Sequence, residues 1–295
     1  MNLEDKLIRF DWAIKYILRD KANFDVLEGF LSALLNEDIT ILNLLDSEGN
    51  QEEANQKFNR VDLLALDSRK RKFIIEIQNN RESDYLERLL FGTSKAVTES
   101  VELGKSYSNI AKIISVSILY FNLGIGDDYV YYGNTELRGV HTGQPLLVKE
   151  QVQVVEDFEI KTRLHNKNIF PEYYLIHTER FQDTIKAPVD EWIYLFKNSK
   201  IKKEFKSKNI DKAREKLRLL NMDSEQRKSY ERYLEHLAIE SDVIGTARVE
   251  GKAEGKAEEK GEVIRNGIKI GLSDDTIHEL TGVTLEEIRK MRTRM

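Results

Sequence analysis

The sequence contains no cysteine, no long apolar run and no excess of positive charge, and each absence excludes a class of protein. Without cysteine, the chain can form neither disulfides nor thiolate metal sites, and it has no cysteine nucleophile. No run of about eighteen apolar residues is present, which excludes a membrane-spanning helix. Lys and Arg number 46 against 51 Asp and Glu, so any contact with nucleic acid must use a local basic patch.

The remaining composition describes a chain that can fold around a sizeable core. Hydrophobic residues make up 40% of the 295 residues and charged residues 33%, which predicts one large domain, or a core domain with an appendage, under a highly charged surface. The first 21 residues carry charges throughout and contain no small-residue cleavage site, so we do not expect a signal peptide. These features predict a soluble, cytoplasmic protein that has no membrane partner.

Apolar periodicity in the first 180 residues predicts a mixed α/β layout. Helical spacing is present in residues 3–18, from Phe24 to about Asn36 and from Asp84 to Leu103. Apolar runs bounded by polar turns predict strands in the segments ITILNLL, VDLLAL, FIIEIQ, 113–121, DDYVYYGNTELRGV and PEYYLIHTERF. The sheet is therefore expected to be built around residues 39–121.

Beyond Pro188 the patterns are helical and highly charged. VDEWIYLFKN and ERYLEHLAIESDV each predict a helix, and the stretch from Lys200 to Arg218, with nine Lys or Arg against three acids, predicts a basic helical segment. The EGKA repeat that follows suits a solvated helix or a linker, because its glycines lower helix stability. Residues 271–291 predict two short helices with Ser273 and Thr284 as N-caps.

Two carboxylates occupy unexpected positions in the neighbouring strands VDLLAL and FIIEIQ. Residues two apart in a strand share a face, so Glu76 and Gln78 point the same way. If the strands pair antiparallel around a turn centred on residue 69, Asp62 lies opposite Glu76, with Cβ atoms about 4.5–5.5 Å apart. Carboxylates that close repel unless a cation lies between them or one keeps its proton. Oxygen ligands without Cys or His predict a hard divalent ion, Mg²⁺ or Mn²⁺.

A second interpretation of the same residues needs no chemistry. Glu76 and Gln78 would line the solvent-facing side of a sheet edge, and Asp62 would cap a strand. For an isolated E-x-Q motif this is the commoner arrangement. The combination here, an Asp before one apolar strand, a turn, and then Glu and Gln on one face of the next strand, weakens it.

The spacing Asp62–x13–Glu76-Ile-Gln78 resembles the active-site hairpin of the PD-(D/E)XK nuclease superfamily. More narrowly, the chain resembles the Rpn group of recombination-promoting nucleases, which are often described as transposases. RFDWAIKYIL is similar to the opening helix of that group, and YLERLLFGTSKAV is similar to the helix that follows its catalytic strand. The EGKA segment and the GLSxxxIxxLTGVTLEEI tail are also typical of it. The resemblance extends over residues 8–180 and 245–290 and does not include the basic middle helices.

The resemblance implies a restriction-endonuclease-like α/β core, with a mixed central sheet flanked by helices, followed by an all-helical C-terminal region. The corresponding division of the chain is a nuclease domain at 1–187, a basic amphipathic helical region at 188–244, a charged glycine-containing helix or linker at 245–271 and a two-helix tail at 272–295. The tail is similar to the second and third helices of a helix-turn-helix. Its last helix begins with acids that phosphate would repel, so a protein contact is as well supported as a DNA contact.

The resemblance also implies roles for the residues of the hairpin. Asp62 and Glu76 would bind Mg²⁺ or Mn²⁺ together with the backbone carbonyl of Ile77. Gln78 stands where the superfamily usually has a lysine that orients the attacking water, although the Rpn group itself often carries Gln. An amide can hold a water by hydrogen bonds but cannot supply a positive charge. This departure affects the expected rate of the reaction rather than its type.

Three further residues outside the hairpin match the family pattern. Asp11, in the opening helix, would approach the metal as an additional acid, or would be a surface residue on an exposed helix face. Arg88 and Lys95 lie seven residues apart and so share a helix face, where they would contact DNA phosphates or simply be solvated.

Taken together, the resemblance implies a Mg²⁺-dependent DNA endonuclease that leaves a 5′-phosphate and a 3′-hydroxyl, with a setting in recombination, mobile elements or phage defence. DNA is the expected partner, and the apolar stripes of the C-terminal helices predict self-association. The alternative is a catalytically silent descendant that binds DNA or a protein. Carboxylate chemistry would permit cleavage of RNA equally.

Overall fold

The computed structural model describes residues 7–16, 18–45, 62–100, 107, 110–154, 159–165 and 168–294. The chain forms two compact units, residues 1–223 and residues 224–295. The first unit contains, in chain order, α1 (Phe10–Tyr16), α2 (Phe24–Leu35), β1 (Ile41–Leu45), β2 (Leu63–Asp67), β3 (Lys72–Gln78), α3 (Tyr85–Thr98), β4 (Ile113–Leu119), β5 (Val130–Gly133), β6 (Val148–Val154), β7 (Glu159–His165), β8 (Glu172–His177), α4 (Pro188–Asn198) and α5 (Ile210–Lys216).

Six of these strands form one mixed sheet in the order β1-β2-β3-β4-β8-β5, and β6 pairs with β7 in a separate hairpin. The β1–β2–β3 meander is antiparallel, β3–β4 and β4–β8 are parallel, and β5 is antiparallel to β8. Every residue of β4 is buried, as expected of a parallel strand covered on both faces. The predicted α/β layout with a mixed central sheet is confirmed.

The β2–β3 hairpin has the register that the sequence predicts. Leu63 pairs with Ile75 and Leu64 with Ile74, so paired residue numbers are related through residue 69. The turn is closed by the side chain of Asp67, whose Oδ1 accepts hydrogen bonds from the backbone N–H groups of residues 69 and 71 at 3.0 and 2.8 Å. A slip of one residue would turn the buried side chains outward, so core burial and this turn fix the register together.

Apolar side chains cover both faces of the sheet. On the face that carries Glu76, α3 packs through two clusters, one formed by Leu64, Ile74, Ala96 and Ile113 and one formed by Tyr85, Leu119 and Phe121. The opposite face of β3, with Phe73, Ile75 and Ile77, is equally buried. Helices α1, α2 and α4 meet in an aromatic cluster of Phe10, Phe30, Trp192 and Phe196, with ring centroids 4.3–6.2 Å apart.

One helical expectation for the first unit is wrong, and one hairpin was not anticipated. Between Lys200 and Arg218 only α5 is an α-helix. Helix α4 ends where Ser199 adopts a φ of +49°, and the Glu191 carboxylate then accepts the backbone N–H groups of Lys206 and Ser207 at 2.7–3.0 Å. A side chain thus satisfies donors that a helix would pair with carbonyls. The β6–β7 hairpin has too polar a pattern to predict strands, and residues 101–103 of the third predicted helix lie outside the described residues.

The second unit contains α6 (Ser224–Lys269), α7 (Asp274–Thr281) and α8 (Leu285–Arg294). The two helical patterns between residues 231 and 262, including the EGKA repeat, form one continuous helix rather than a helix and a linker. The C-terminal end of α6 packs on α7 and α8 through Ile264, Ile277 and Ile288. Both predicted N-caps are confirmed, since Ser273 Oγ accepts from Thr276 N at 3.2 Å and Thr284 Oγ1 accepts from Glu287 N at 3.4 Å.

Within the described ranges, no helix combines the length and the apolar character needed to cross a bilayer. Even α6, which is long enough, carries charges along its whole length.

Candidate active site

Asp62 lies immediately before β2, at the position that continues the hairpin register opposite Glu76. Its Oδ2 accepts a hydrogen bond from the backbone N–H of Ile77 at 2.7 Å, which draws the carboxylate against the end of β3. Arg19 Nη2 donates to the Asp62 carbonyl oxygen at 2.9 Å and holds the backbone at the same point. The structure therefore brings Asp62 to the β3 segment that carries Glu76, Ile77 and Gln78.

Glu76 is a buried carboxylate in the middle of the sheet. It is 4% exposed and lies on the third of six strands, so it is not on a solvent-facing sheet edge, and the second interpretation of the motif is wrong. Burial raises the pKa of Glu76 above its ordinary value, Arg88 opposes the rise, and the charge of Asp62 adds to it. An ionised Glu76 is therefore poorly compensated, and a bound cation would stabilise it.

Arg88 turns inward from the first turns of α3 toward this carboxylate. Its Nη2 lies 3.4 Å from Glu76 Oε2, and its Nη1 donates to Glu82 Oε1 at 2.9 Å. With the Gln78 amide placed so that its oxygen faces the guanidinium, Nη1 also donates to Gln78 at 3.1 Å. The guanidinium carbon lies 5.2 Å from the centroid of the Tyr85 ring. Arg88 is thus part of the carboxylate site.

Lys95, two turns further along α3, has a different environment. Its side chain is 34% exposed, and its Nζ lies 3.7 Å from Glu99 Oε1 on the helix surface. An exposed pair of this kind contributes little to stability, about 0–1 kcal/mol. Lys95 is therefore available to a ligand at the surface, whereas Arg88 faces β3.

Asp11 does not lie on an exposed helix face, so that alternative is wrong. It is 1% exposed, and its carboxylate accepts two contacts from Arg9, at 2.6 Å from Nη2 and 3.1 Å from Nε, as well as the Trp12 backbone N–H at 2.8 Å. Arg9 Nη2 also lies 3.5 Å from Asn79 Oδ1, directly after β3. The buried acid thus orients an arginine toward the end of the strand that carries Glu76.

Two buried hydroxyl groups beside Glu76 were not predicted from the sequence. Ser117 lies opposite Glu76 in the parallel β3–β4 register, and both Ser117 and Tyr85 are fully buried. Burial raises the pKa of Tyr85, and the neighbouring Glu76 raises it further, so the phenol stays protonated at neutral pH. Neither hydroxyl completes a hydrogen bond of normal geometry within the described chain. The alternating serines in ISVSIL were a signal, but only the sheet order shows which strand they face.

The donor set at this site suits a hard cation. Asp62, Glu76 and the Ile77 carbonyl offer only oxygen atoms, which Mg²⁺ and Mn²⁺ prefer. The part of the chain that the structure describes contains no cluster of three or more His, Asp or Glu side chains placed to hold a metal. Mg²⁺ commonly keeps several waters and takes only one or two carboxylates, so a pair is sufficient.

A mixed six-stranded sheet flanked by helices is consistent with the PD-(D/E)XK α/β class. The family described as PD-(D/E)XK nuclease family transposase matches residues 8–247, and the chain belongs to that family. The match includes the middle helices that the sequence resemblance left out. Nucleases of this class act on DNA and generally use divalent metals. Comparisons with curated proteins and with solved structures find no significant match.

Glu76→Gln is expected to raise the melting temperature of the metal-free protein at neutral pH. Because the pKa of Glu76 is raised, its ionisation costs stability as the pH rises through that raised value. The amide of Gln removes this cost, so the increase in melting temperature should be largest at neutral pH and should shrink toward pH 4.5. Each kcal/mol of added stability corresponds to an increase of about 2–4 °C. Calorimetry in EDTA measures it, and a lowered melting temperature would contradict it. In contrast, Glu191→Gln should lower the melting temperature, because Glu191 accepts backbone N–H groups.

Proposed function

We propose that this protein is a Mg²⁺-dependent endonuclease that hydrolyses DNA phosphodiesters and leaves a 5′-phosphate and a 3′-hydroxyl. The observation that carries the proposal is the hydrogen bond from the Ile77 N–H to the Asp62 carboxylate, which holds Asp62 beside Glu76 where the register of Leu63 with Ile75 continues. Membership of the PD-(D/E)XK family supports the nuclease part of the proposal. The choice of metal, the DNA specificity and the cleavage polarity follow from the family resemblance.

In this proposal Asp62, Glu76 and the Ile77 carbonyl hold the ion. A bound divalent ion supplies two effects, a lowered pKa of its bound water and neutralisation of phosphate charge. The chain supplies the positions, because the Ile77 N–H fixes the Asp62 carboxylate and burial leaves Glu76 with little competing water. Gln78, at the half-buried C-terminal end of β3, orients the attacking water by hydrogen bonding.

The other matched residues act around this centre. Arg88 and Lys95 contact phosphates along α3, with Lys95 at the exposed end. Asp11 positions Arg9 beside Asn79, since its own carboxylate is already occupied by Arg9 and a backbone N–H. This assigns Asp11 a positioning role rather than that of a metal ligand. We place the reaction in recombination or in the biology of mobile elements and phage defence.

The full chain should nick supercoiled plasmid in Mg²⁺ or Mn²⁺ and stop on addition of EDTA. We expect this because, in the proposed site, water is activated by the cation that the two carboxylates hold. Plasmid relaxation on agarose gels measures it, with a labelled single-stranded RNA in parallel. If the protein shifts the plasmid equally in Mg²⁺ and in EDTA but never nicks it, the protein binds DNA without cleaving it. Preferential cleavage of the RNA would overturn the choice of DNA.

A further inference from the structure

We propose that Arg88 supplies the positive charge at the carboxylate pair that Gln78 cannot supply, and that Gln78 is a positioning residue for Arg88. The inference rests on the proposed nuclease function and deepens it. It places the phosphate contact of Arg88 at the reacting phosphate, and it gives Gln78, in addition to its contact with water, a hydrogen bond to the guanidinium.

The first support is the position of the guanidinium. Arg88 belongs to α3, yet its side chain lies against β3, with Nη2 3.4 Å from Glu76 Oε2. The side chain of Arg88 is 30% exposed while the side chain of Glu76 is 5% exposed, so the charge lies between the buried acid and solvent. A phosphate that approaches the carboxylate pair from solvent would therefore meet this guanidinium.

The second support is that the guanidinium is held from several sides. Glu82, in the segment before α3, accepts from Nη1 at 2.9 Å, and the Tyr85 ring lies beneath the guanidinium carbon at 5.2 Å. With the Gln78 amide oriented so that its oxygen faces the guanidinium, that oxygen accepts from Nη1 at 3.1 Å and also contacts Nη2. Donors that are fixed before the substrate arrives stabilise developing charge without a cost of reorganisation. An arginine that only balanced Glu76 would not require these additional partners.

The third support is the unused hydrogen-bonding capacity of the side chain. A guanidinium has five N–H donors in a planar fork that matches phosphate oxygens. The buried Nε–H of Arg88 donates to no acceptor within the described part of the chain. Because Nε has no exposed surface, a phosphate oxygen can accept from it, together with a second donor of the fork, only after the side chain shifts toward solvent on binding.

The chemistry of position 78 fits this arrangement. An amide oxygen accepts a hydrogen bond from a guanidinium, whereas a lysine ammonium at the same place would repel it. Gln78 and Arg88 therefore form a matched pair, with the neutral residue on the strand and the charge on the helix. A lysine at position 78 and an arginine at position 88 would each serve alone but would conflict together.

The test uses the full chain and four variants: Arg88→Gln, Arg88→Lys, Gln78→Lys and the double variant Gln78→Lys with Arg88→Gln. Arg81→Gln is the matched control, because it makes the same change at an exposed position seven residues earlier. Single-turnover cleavage at saturating DNA measures the rate of the chemical step. Fluorescence anisotropy in EDTA measures DNA affinity, and calorimetry with Mn²⁺ measures metal binding by the DNA-free protein.

We expect Arg88→Gln to lower the single-turnover rate by about 10²–10³-fold, as for the loss of one preorganised charge-stabilising donor. DNA affinity in EDTA should change by less than about threefold, because one phosphate contact among several is lost. Mn²⁺ should bind about tenfold more tightly, since a neighbouring positive charge is removed from Glu76. Arg88→Lys should recover part of the rate, because it keeps the charge but loses the fork.

The double variant, Gln78→Lys with Arg88→Gln, gives the most decisive result because it moves the positive charge from α3 to β3. Gln78→Lys alone should not exceed the wild-type rate, whereas the double variant should cleave at least about tenfold faster than Arg88→Gln, since it restores one cation at the carboxylates. Melting temperatures identify any variant that fails to fold. If the double variant does not fold, the comparison of Arg88→Lys with Arg88→Gln tests whether a positive charge at this position is needed.

Three results would overturn the inference while leaving the proposed function intact: a wild-type rate in Arg88→Gln, a loss confined to DNA affinity, or an equal loss of rate in Arg81→Gln. Unchanged Mn²⁺ affinity in Arg88→Gln would also overturn it, and that measurement does not depend on cleavage. If the wild-type chain does not cleave DNA, but Mn²⁺ binds more tightly to Arg88→Gln as expected, the proposed function is wrong and the inference about Arg88 stands.

Discussion

Asp62→Asn and Glu76→Gln should each reduce the Mg²⁺-dependent nicking rate by a factor of about 10²–10³ or more, the equivalent of several kcal/mol of lost charge stabilisation. Both changes keep the shape of the side chain and remove one negative charge. Asparagine can still accept the Ile77 N–H hydrogen bond, so the hairpin register should survive. The expected loss therefore follows from weakened metal binding rather than from unfolding.

Plasmid relaxation and melting temperature, measured on the same preparations, separate these causes. Asp183→Asn is the matched control, since Asp183 is a half-exposed loop residue whose φ of +58° asparagine tolerates. It should cut at the wild-type rate. Wild-type nicking by either Asp62→Asn or Glu76→Gln would remove these two residues from the active site.

The register of the β2–β3 hairpin could be predicted from the sequence because only one alignment buries both strands. The apolar faces of β2 and β3 and the four-residue turn between them admit one alignment, and continuing it one residue beyond the Leu63–Ile75 pair sets Asp62 opposite Glu76. The order of helices and strands along the chain could be predicted for a similar reason, since each buried element has a continuous apolar face.

The partners of Glu76 could not be predicted, because they depend on contacts between elements distant in the sequence. Helical spacing places Arg88 and Lys95 on one face of α3, but spacing does not show that the longer arginine reaches a buried carboxylate while the lysine pairs with Glu99. The position of Ser117 follows from the parallel β3–β4 pairing, which a crossover connection creates and no local pattern encodes.

Asp11 illustrates the same limit on helix α1. An acid within a short amphipathic helix is normally solvated, and only the folded chain brings it beneath Arg9 and next to the strand that carries Glu76. Burial of a charge requires a partner, and here the adjacent arginine, two residues earlier in the chain, provides it. The sequence contained both residues but not the packing that buries one of them.

The packing that buries Asp11 leads to the largest stability effect we expect, that of Phe196→Ala. Phe196 on α4 is 1% exposed, and its ring centroid lies 4.3 Å from that of Phe10 and 4.9 Å from that of Phe30. Removing a fully buried aromatic ring leaves a cavity and costs about 3–5 kcal/mol. Urea unfolding measures this loss, and Phe196→Leu should lose less because it fills part of the same space.

This substitution also tests whether the aromatic cluster positions the site, because Phe10 directly precedes Asp11 on α1. If packing on Phe196 holds α1 in place, then the cavity should allow α1 to move and Arg9 to leave Asn79. The folded fraction of Phe196→Ala should therefore cleave more slowly than wild type at a temperature well below its unfolding transition, with DNA affinity in EDTA unchanged. A wild-type cleavage rate in the folded variant would mean that α1 keeps its position without this ring, and a loss of less than about 1 kcal/mol would mean that the ring is not part of a close-packed core.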